Sequence, residues 1–292
     1  MTQLPDRTPW IDPDPEWDIT QFEDAMRAVL YKPPFKALLF TVPQQVYAAM
    51  SAVMHGQPEG HAEDVPKASQ VTRRIFLRLM QDLRSAQQLA SMGYAPQAGT
   101  IGTTVAEIAF EVAWIGRDEA RAEAWLAHEK RNKTVQAYGD RLKLVLSERY
   151  EQQEHRDAIE EFEIGVYREL CMMKHANSVL QQSMGSFSTG EFEYFSPIPA
   201  PSPMTVRVAA FAMYHVCRLC LDASMDFLRV TQPGTPEHQA RTAAAITGLM
   251  GDLVAAFEAV DRVAAQMDAQ EEQEAQAYLA RRAAATAGTH RD

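Results

Sequence analysis

Cysteine is scarce in this chain, with three residues, Cys171, Cys217 and Cys220, among 292. So few thiols exclude a disulfide-stabilised secreted scaffold, which needs several paired cysteines. The first 15 residues are polar and proline-rich and lack the charged-then-apolar order of a secretory signal peptide. We therefore expect a reduced, cytoplasmic protein.

Long apolar runs, alternating strand patterns and excess positive charge are also lacking. No segment alternates apolar and polar positions with β-branched residues over more than four residues, which argues against a sheet. The net charge of −11 excludes a general nucleic-acid coat, although it leaves room for a local basic site. No stretch has 18 uninterrupted apolar residues, so we expect no contact with a membrane. The most apolar segment, Val206–Leu228, is interrupted by Arg207, His215, Arg218 and Asp222.

Several motifs of known chemistry are absent as well. The sequence has no glycine-rich phosphate loop, no Gly-x-Ser-x-Gly elbow, no kinase signature and no Glu-x-x-His pair. A three-cysteine, one-histidine zinc site could be assembled from the three cysteines and His175. Both of its pairs would lie inside helices, however, and free cysteines are commonly buried, so core thiols explain the pattern better. We expect no metal site and no cofactor.

Helical periodicity is what the chain does have, and it predicts one all-α helical-bundle domain of eight to ten helices over residues 16–282. The core spans residues 67–267. An irregular arm (1–15) precedes the domain, a long loop (183–203) interrupts it, and a disordered tail (283–292) follows it. The highly charged segment 138–163 predicts a solvent-edged helix or pair of helices. The predicted core helices are Lys67–Met92, with Gly93 as its C-terminal cap, Pro96–Ile115, Ile164–His175, Val206–Leu228 and Pro236–Met267.

The last of these helices carries an apolar seam with spacings that alternate between four and three residues. Such a seam is typical of helices that pair, so we expect a homodimer through the C-terminal helix. The alternative is that other helices of the same chain cover the seam. Its residues are Ile246, Met250, Leu253, Phe257, Val260, Ala264 and Met267.

One stretch concentrates chemically active side chains at the end of a core helix. Arg168 and His175 lie two helical turns apart on one face, where a guanidinium and an imidazole could bind and protonate an anion. Glu107 and Glu111 lie one turn apart on another core helix and need cationic partners if they are buried. Arg168 and His175 are the candidates for those partners. Three further polar residues would support the cluster: Tyr167, Lys174 and Asn177.

The pair Arg168 and His175 fits the Arg-x(4–6)-His signature of the HEPN ribonucleases. Arg149 with His155 and Arg121 with His128 also fit, but those pairs lie in charge-rich helices rather than at the end of a core helix. Leu79–Trp114, followed by Tyr-x-x-Leu-Cys-x-x-x-His at 167–175, resembles a bacterial family of uncharacterised helical proteins that is similar to HEPN folds. Where that family has an arginine before its acid and a serine in its motif, this chain has Thr103 and Cys171.

The resemblance implies a metal-independent ribonuclease of a defence or toxin system, which would bind RNA at a local site. His175 would then transfer a proton, and Arg168 would stabilise the charge on the phosphate. The alternative is a non-catalytic interaction or regulatory protein on the same scaffold, in which these polar groups form a buried structural network. The sequence leaves both functions open.

Overall fold

The computed structural model describes residues 19–55, 65–128, 137–175, 186–188, 193–195, 202–231 and 234–288. Helices dominate these residues, which confirms the predicted all-α domain of eight to ten helices. The predicted N-terminal arm lies outside the described residues. The nine helices of the described part are α1 (Ile19–Leu30), α2 (Val42–His55), α3 (Lys67–Ser91), α4 (Ala95–Gly116), α5 (Glu119–His128), α6 (Tyr138–Arg149), α7 (Gln153–Lys174), α8 (Pro203–Thr231) and α9 (Pro236–Gly288).

Helices α4 and α8 form the centre of the bundle because they are apolar around most of their circumference. Helix α4 packs against α3, α5, α6, α7 and α8, and α8 packs in addition against α2, α3 and α9. Aromatic packing ties α3 to α8, with the rings of Phe76 and Phe227 4.5 Å apart and both side chains fully buried.

Glycine is needed at two points of this core, for its backbone conformation at one and for close packing at the other. Gly93 has a φ of 90° directly after α3, so this residue ends the helix as the sequence predicted. Gly102 on α4 faces α7 and α8, where an added Cβ would lie 2.9 Å from Leu170 Cδ2 and 3.4 Å from Val216 Cγ2. The three helices can therefore pack tightly only while residue 102 lacks a side chain.

Pro43 lies inside a continuous helix, although proline in a helix commonly breaks or kinks it. A π-helical turn over Ala37–Thr41 runs directly into α2. Proline lacks an N–H and its ring crowds the preceding turn, and the wider π turn accommodates both effects.

The charged region after α5 is divided differently from the prediction. The sequence predicts a boundary between residues 163 and 164, but α7 runs across it and the break lies at 150–152, where Tyr150 and Gln152 are extended. The expected solvent-edged character is also wrong in part, since Arg141, Leu142 and Glu163 are buried. A charged side chain can be buried when a neighbouring helix supplies an oppositely charged partner, and periodicity alone does not reveal that partner.

Two short antiparallel strands lie within the predicted loop 183–203, with Ser186–Ser188 paired to Glu193–Phe195. At the C-terminus, α9 continues to Gly288, so it includes the first part of the segment that we expected to be a disordered tail. Residues 289–292 lie outside the described residues.

The expectation of no contact with a membrane is wrong, judged by the length and composition of the helices. Within the described residues, three helical segments are long and apolar enough to cross a membrane: Ala37–His55, Pro203–Thr231 and Pro236–Gln270. A window of 18 residues tolerates one or two charges when leucine, valine and alanine fill most other positions, so a segment long enough to cross a membrane need not be an unbroken apolar run. The three differ in how far the protein's own core covers them, since the most apolar window of α8 is 78% buried and that of α9 is 22% buried.

Candidate functional site

A cluster of charged and phenolic side chains lies inside the bundle, between α4, α6, α7 and α8. We call it the interior polar cluster. It joins residues that are far apart in the chain, and each of its carboxylates has a cationic or phenolic partner. Its members are Glu107, Glu111, Tyr138, Arg141, Glu163, Tyr167 and Arg218.

The strongest contact of the cluster is a bidentate ion pair between α8 and α7. Arg218 donates from Nη1 and Nη2 to the two carboxylate oxygens of Glu163, with both distances 2.7 Å and both residues buried. Burial opposes the charged guanidinium, yet the bond to Glu163 holds the pKa of Arg218 above its ordinary value. Paired, hydrogen-bonded charges are the form in which ions are tolerated in a protein interior.

A second pair joins α6 to α4. The Arg141 side chain is almost fully buried and donates from Nη1 to Glu111 Oε1 at 2.6 Å. Burial raises the pKa of Glu111, while Arg141 and a hydrogen bond from Trp125 oppose that rise. The partner of Glu111 is therefore Arg141, and not the Arg168 or His175 that the sequence suggested.

Two stacked tyrosines, Tyr138 and Tyr167, complete the cluster. Tyr167 Oη donates to Glu107 Oε1 at 2.6 Å, and the rings of Tyr138 and Tyr167 stack 4.3 Å apart. Burial, and then the charge of Glu163, raise the pKa of Tyr138. Burial and the hydrogen bond to Glu107 raise the pKa of Tyr167 as well. Both phenols are therefore protonated at neutral pH.

Three donors of the cluster have no acceptor within the described part of the protein. They are Tyr138 Oη, Arg141 Nε and Arg218 Nε. Buried donors of this kind are usually satisfied by ordered water.

Further ion pairs join α6 to the end of α4, to α5 and to α8. Glu148 at the end of α6 accepts from Arg117 at 2.9 Å and from Arg121 at 2.8 Å. Partial burial works against the ionised carboxylate, but the two arginines hold the pKa of Glu148 below its usual range. Arg149 also pairs with the buried Asp226 of α8.

The sequence-predicted site residues separate into two groups. Tyr167, Glu107 and Glu111 enter the interior polar cluster. Arg168, Lys174 and His175 are exposed on the last two turns of α7 and its C-terminal cap. Asn177 lies outside the described residues.

Four members of the cluster were missed by sequence reasoning: Tyr138, Arg141, Glu163 and Arg218. A usable signal existed for Arg218, because a charge in the middle of an otherwise apolar helix must be paired when that helix is buried. No comparable signal marks Arg141 or Glu163, which lie in charge-rich helices where most side chains are solvated.

His215 is a second buried polar residue of α8. Its ring lies 4.4 Å from that of Phe211 and 4.9 Å from that of Tyr214, and Nδ1 has no hydrogen-bond partner among the described residues. Burial, and then the charge of Arg218, lower the pKa of His215 to about 3. The imidazole is therefore neutral at physiological pH.

The cysteines do not gather with His175. Cys217 and Cys220 are fully buried on α8, and burial raises the pKa of both thiols. Cys171 is half-buried on α7, beside Tyr167. In the part of the chain that the structure describes, no group of three or more histidine, cysteine, aspartate or glutamate side chains is arranged to hold a metal ion.

The chemistry open to these groups follows from their surroundings. Each charged group of the interior polar cluster has a partner, and Arg141, Glu163 and Arg218 are buried, which suits the cluster to holding four helices together. Arg168 and His175 are open to solvent and could bind an anion at the surface. No family model matches the chain, and no curated protein or solved structure matches it either.

Proposed function

We propose that this chain is a non-catalytic helical interaction protein that binds its partner through the outer side of α9. The observation that carries the proposal is that α9 is strongly apolar but largely uncovered. Residues 236–270 contain a window as apolar as a membrane-spanning segment, yet only 22% of that window is buried by the rest of the chain. Apolar helical surface that its own protein leaves uncovered marks an interaction site.

The interior polar cluster supports this proposal. Catalytic acids and bases need access to a substrate, whereas Arg141, Glu163 and Arg218 are buried and paired, Arg141 with the partly buried Glu111 and Arg218 with Glu163. Such a network stabilises the relative positions of α4, α6, α7 and α8 and so provides a rigid scaffold behind α9.

A metal-independent ribonuclease is the second candidate function. It is favoured by one observation: Arg168 and His175 are both exposed and lie seven residues apart, on the same side of the end of α7. The geometry would let both side chains reach one phosphate of an RNA strand, as the resemblance to HEPN proteins implies.

An RNA-cleavage assay separates the two functions. We expect wild-type protein to cleave single-stranded RNA no faster than an Arg168→Ala/His175→Ala double variant. His155→Ala is the matched control, because His155 is an exposed histidine near the other end of the same helix. Cleavage that is lost in the double variant but kept in His155→Ala would overturn the proposal in favour of the ribonuclease.

A further inference from the structure

The outer face of α9 lies opposite the side that packs into the bundle. The inner side buries Ile246, Leu253 and Val260 against α2 and α8. The outer side is centred on glycine and alanine, with charged residues towards both ends. Exposed residues along this side include Glu237, Arg241, Ala244, Gly248, Gly251, Ala255, Glu258 and Arg262, and the exposed Thr247 and Asp252 border its centre.

Among the residues that the structure describes, none covers the centre of this face. A Cβ added to Gly248 or to Gly251 would meet no atom within 4 Å. Small residues at this spacing allow a second helix to approach closely, as in tightly packed helix pairs.

The pattern along the face is self-complementary about the point between Leu249 and Met250. In an antiparallel pair with a two-fold axis at that point, Gly248 lies opposite Gly251 of the partner subunit. Ala244 then lies opposite Ala255 of the partner subunit, so small residues meet small residues.

The charges follow the same symmetry. Arg241 lies opposite Glu258 of the partner subunit, and Glu237 lies opposite Arg262 of the partner subunit. Because the axis repeats each contact, four ion pairs flank the central row of glycine and alanine over a length of about 38 Å. A parallel pair would instead place Arg241 beside its own copy and Glu258 beside its own copy, which like charges disfavour.

We propose that the outer face of α9 docks on the same face of a second copy of this chain, antiparallel and centred between Gly248 and Gly251. This identifies the partner in the proposed function and rests on it. It differs from the homodimer expected from the sequence, because the seam assigned to that dimer is used inside one chain. A membrane fits the face less well, since Arg241, Glu258 and Arg262 would have to enter the lipid surface with it.

The first experiment measures mass by analytical ultracentrifugation of the full chain from 1 to 100 µM. We expect wild-type protein to reach twice the 32.7 kDa of one chain within this range. Gly251→Leu should remain monomeric, with a thermal midpoint equal to or above that of wild type. The added side chain has open space in one chain, and leucine favours a helix more than glycine does.

Gly165→Leu is the matched control for this substitution. Gly165 lies on α7, which packs on α4 and α6, and a Cβ there also meets no atom within 4 Å. This variant should dimerise like wild type. A wild-type protein that stays monomeric to 100 µM, or a Gly251→Leu variant that still dimerises, would overturn the proposal.

Charge reversal tests the register. Arg241→Glu or Glu258→Arg alone should weaken the dimer at least about tenfold, and the two together should restore it to within about threefold of wild type. Failure of the rescue rules out this register. Flotation with anionic vesicles tests whether the outer face of α9 binds a membrane instead. Vesicle binding by a wild-type protein that stays monomeric would show that it does. Neither outcome depends on the ribonuclease assay, so the two proposals fail separately.

Discussion

Single residues in this protein show how a buried charge or imidazole is held in a helical core. Arg218 and Glu163 are tolerated inside because each satisfies the other with two hydrogen bonds. His215 has aromatic neighbours instead, so the protein keeps it neutral. The contrast follows from the partners that the surrounding helices supply.

Stability should therefore depend on pH through His215. Its pKa is about 3 in the folded state against about 6.5 when unfolded, so between these values the unfolded chain binds a proton that the folded chain does not. The free energy of unfolding should fall as the pH falls from 6.5 towards 3, by about 1.4 kcal/mol per pH unit from this group.

Urea unfolding of wild type and His215→Phe at several pH values between 7.5 and 4 measures this contribution. The pKa of Asp222, which accepts a hydrogen bond from Arg218, is raised mainly by burial, and this group is present in both proteins, so its contribution cancels in the difference. The stability difference should shift in favour of His215→Phe as the pH falls. Parallel pH profiles would show that His215 is not held neutral.

Among the elements, α4 sets how closely its neighbours pack, through Gly102. We expect Gly102→Val to lower the free energy of unfolding by about 1–3 kcal/mol, because the new side chain meets Leu170 and Val216. Gly139→Val on α6 should change it by about 0.5 kcal/mol or less, since that position has open space. Chemical denaturation of both variants makes the comparison, and equal effects would contradict this role for Gly102.

The helices themselves were largely predictable from the sequence. The end of α3 at Gly93 followed from an apolar stripe that stops before a glycine. The break at 150–152 did not, because neither proline nor glycine marks it and the charged residues on both sides suit a continuous helix. The polar contacts of the interior cluster were also hidden, since pairing depends on which helices become neighbours.

For the whole molecule, the inner and outer sides of α9 should respond differently to the same kind of change. Leu253 is fully buried against the bundle, while the adjacent Val254 is exposed by 38%. Leu253→Ala should lower the free energy of unfolding of one chain by about 2–5 kcal/mol. Val254→Ala should change it by less than about 0.5 kcal/mol. Thermal unfolding of the two variants at sub-micromolar concentration compares these effects. A small effect of Leu253→Ala would mean that the apolar seam does not hold α9 against the bundle.

The amino-acid sequence by itself determined that the chain is helical and where most helices lie, because periodicity and helix caps act over a few residues. It also marked the apolar seam of α9. The tertiary structure decided that α2 and α8 cover this seam, that Glu111 binds Arg141, and that Arg168 and His175 remain at the surface. These contacts join residues tens of positions apart, and a local pattern shows which face of a helix is apolar without showing what will cover it.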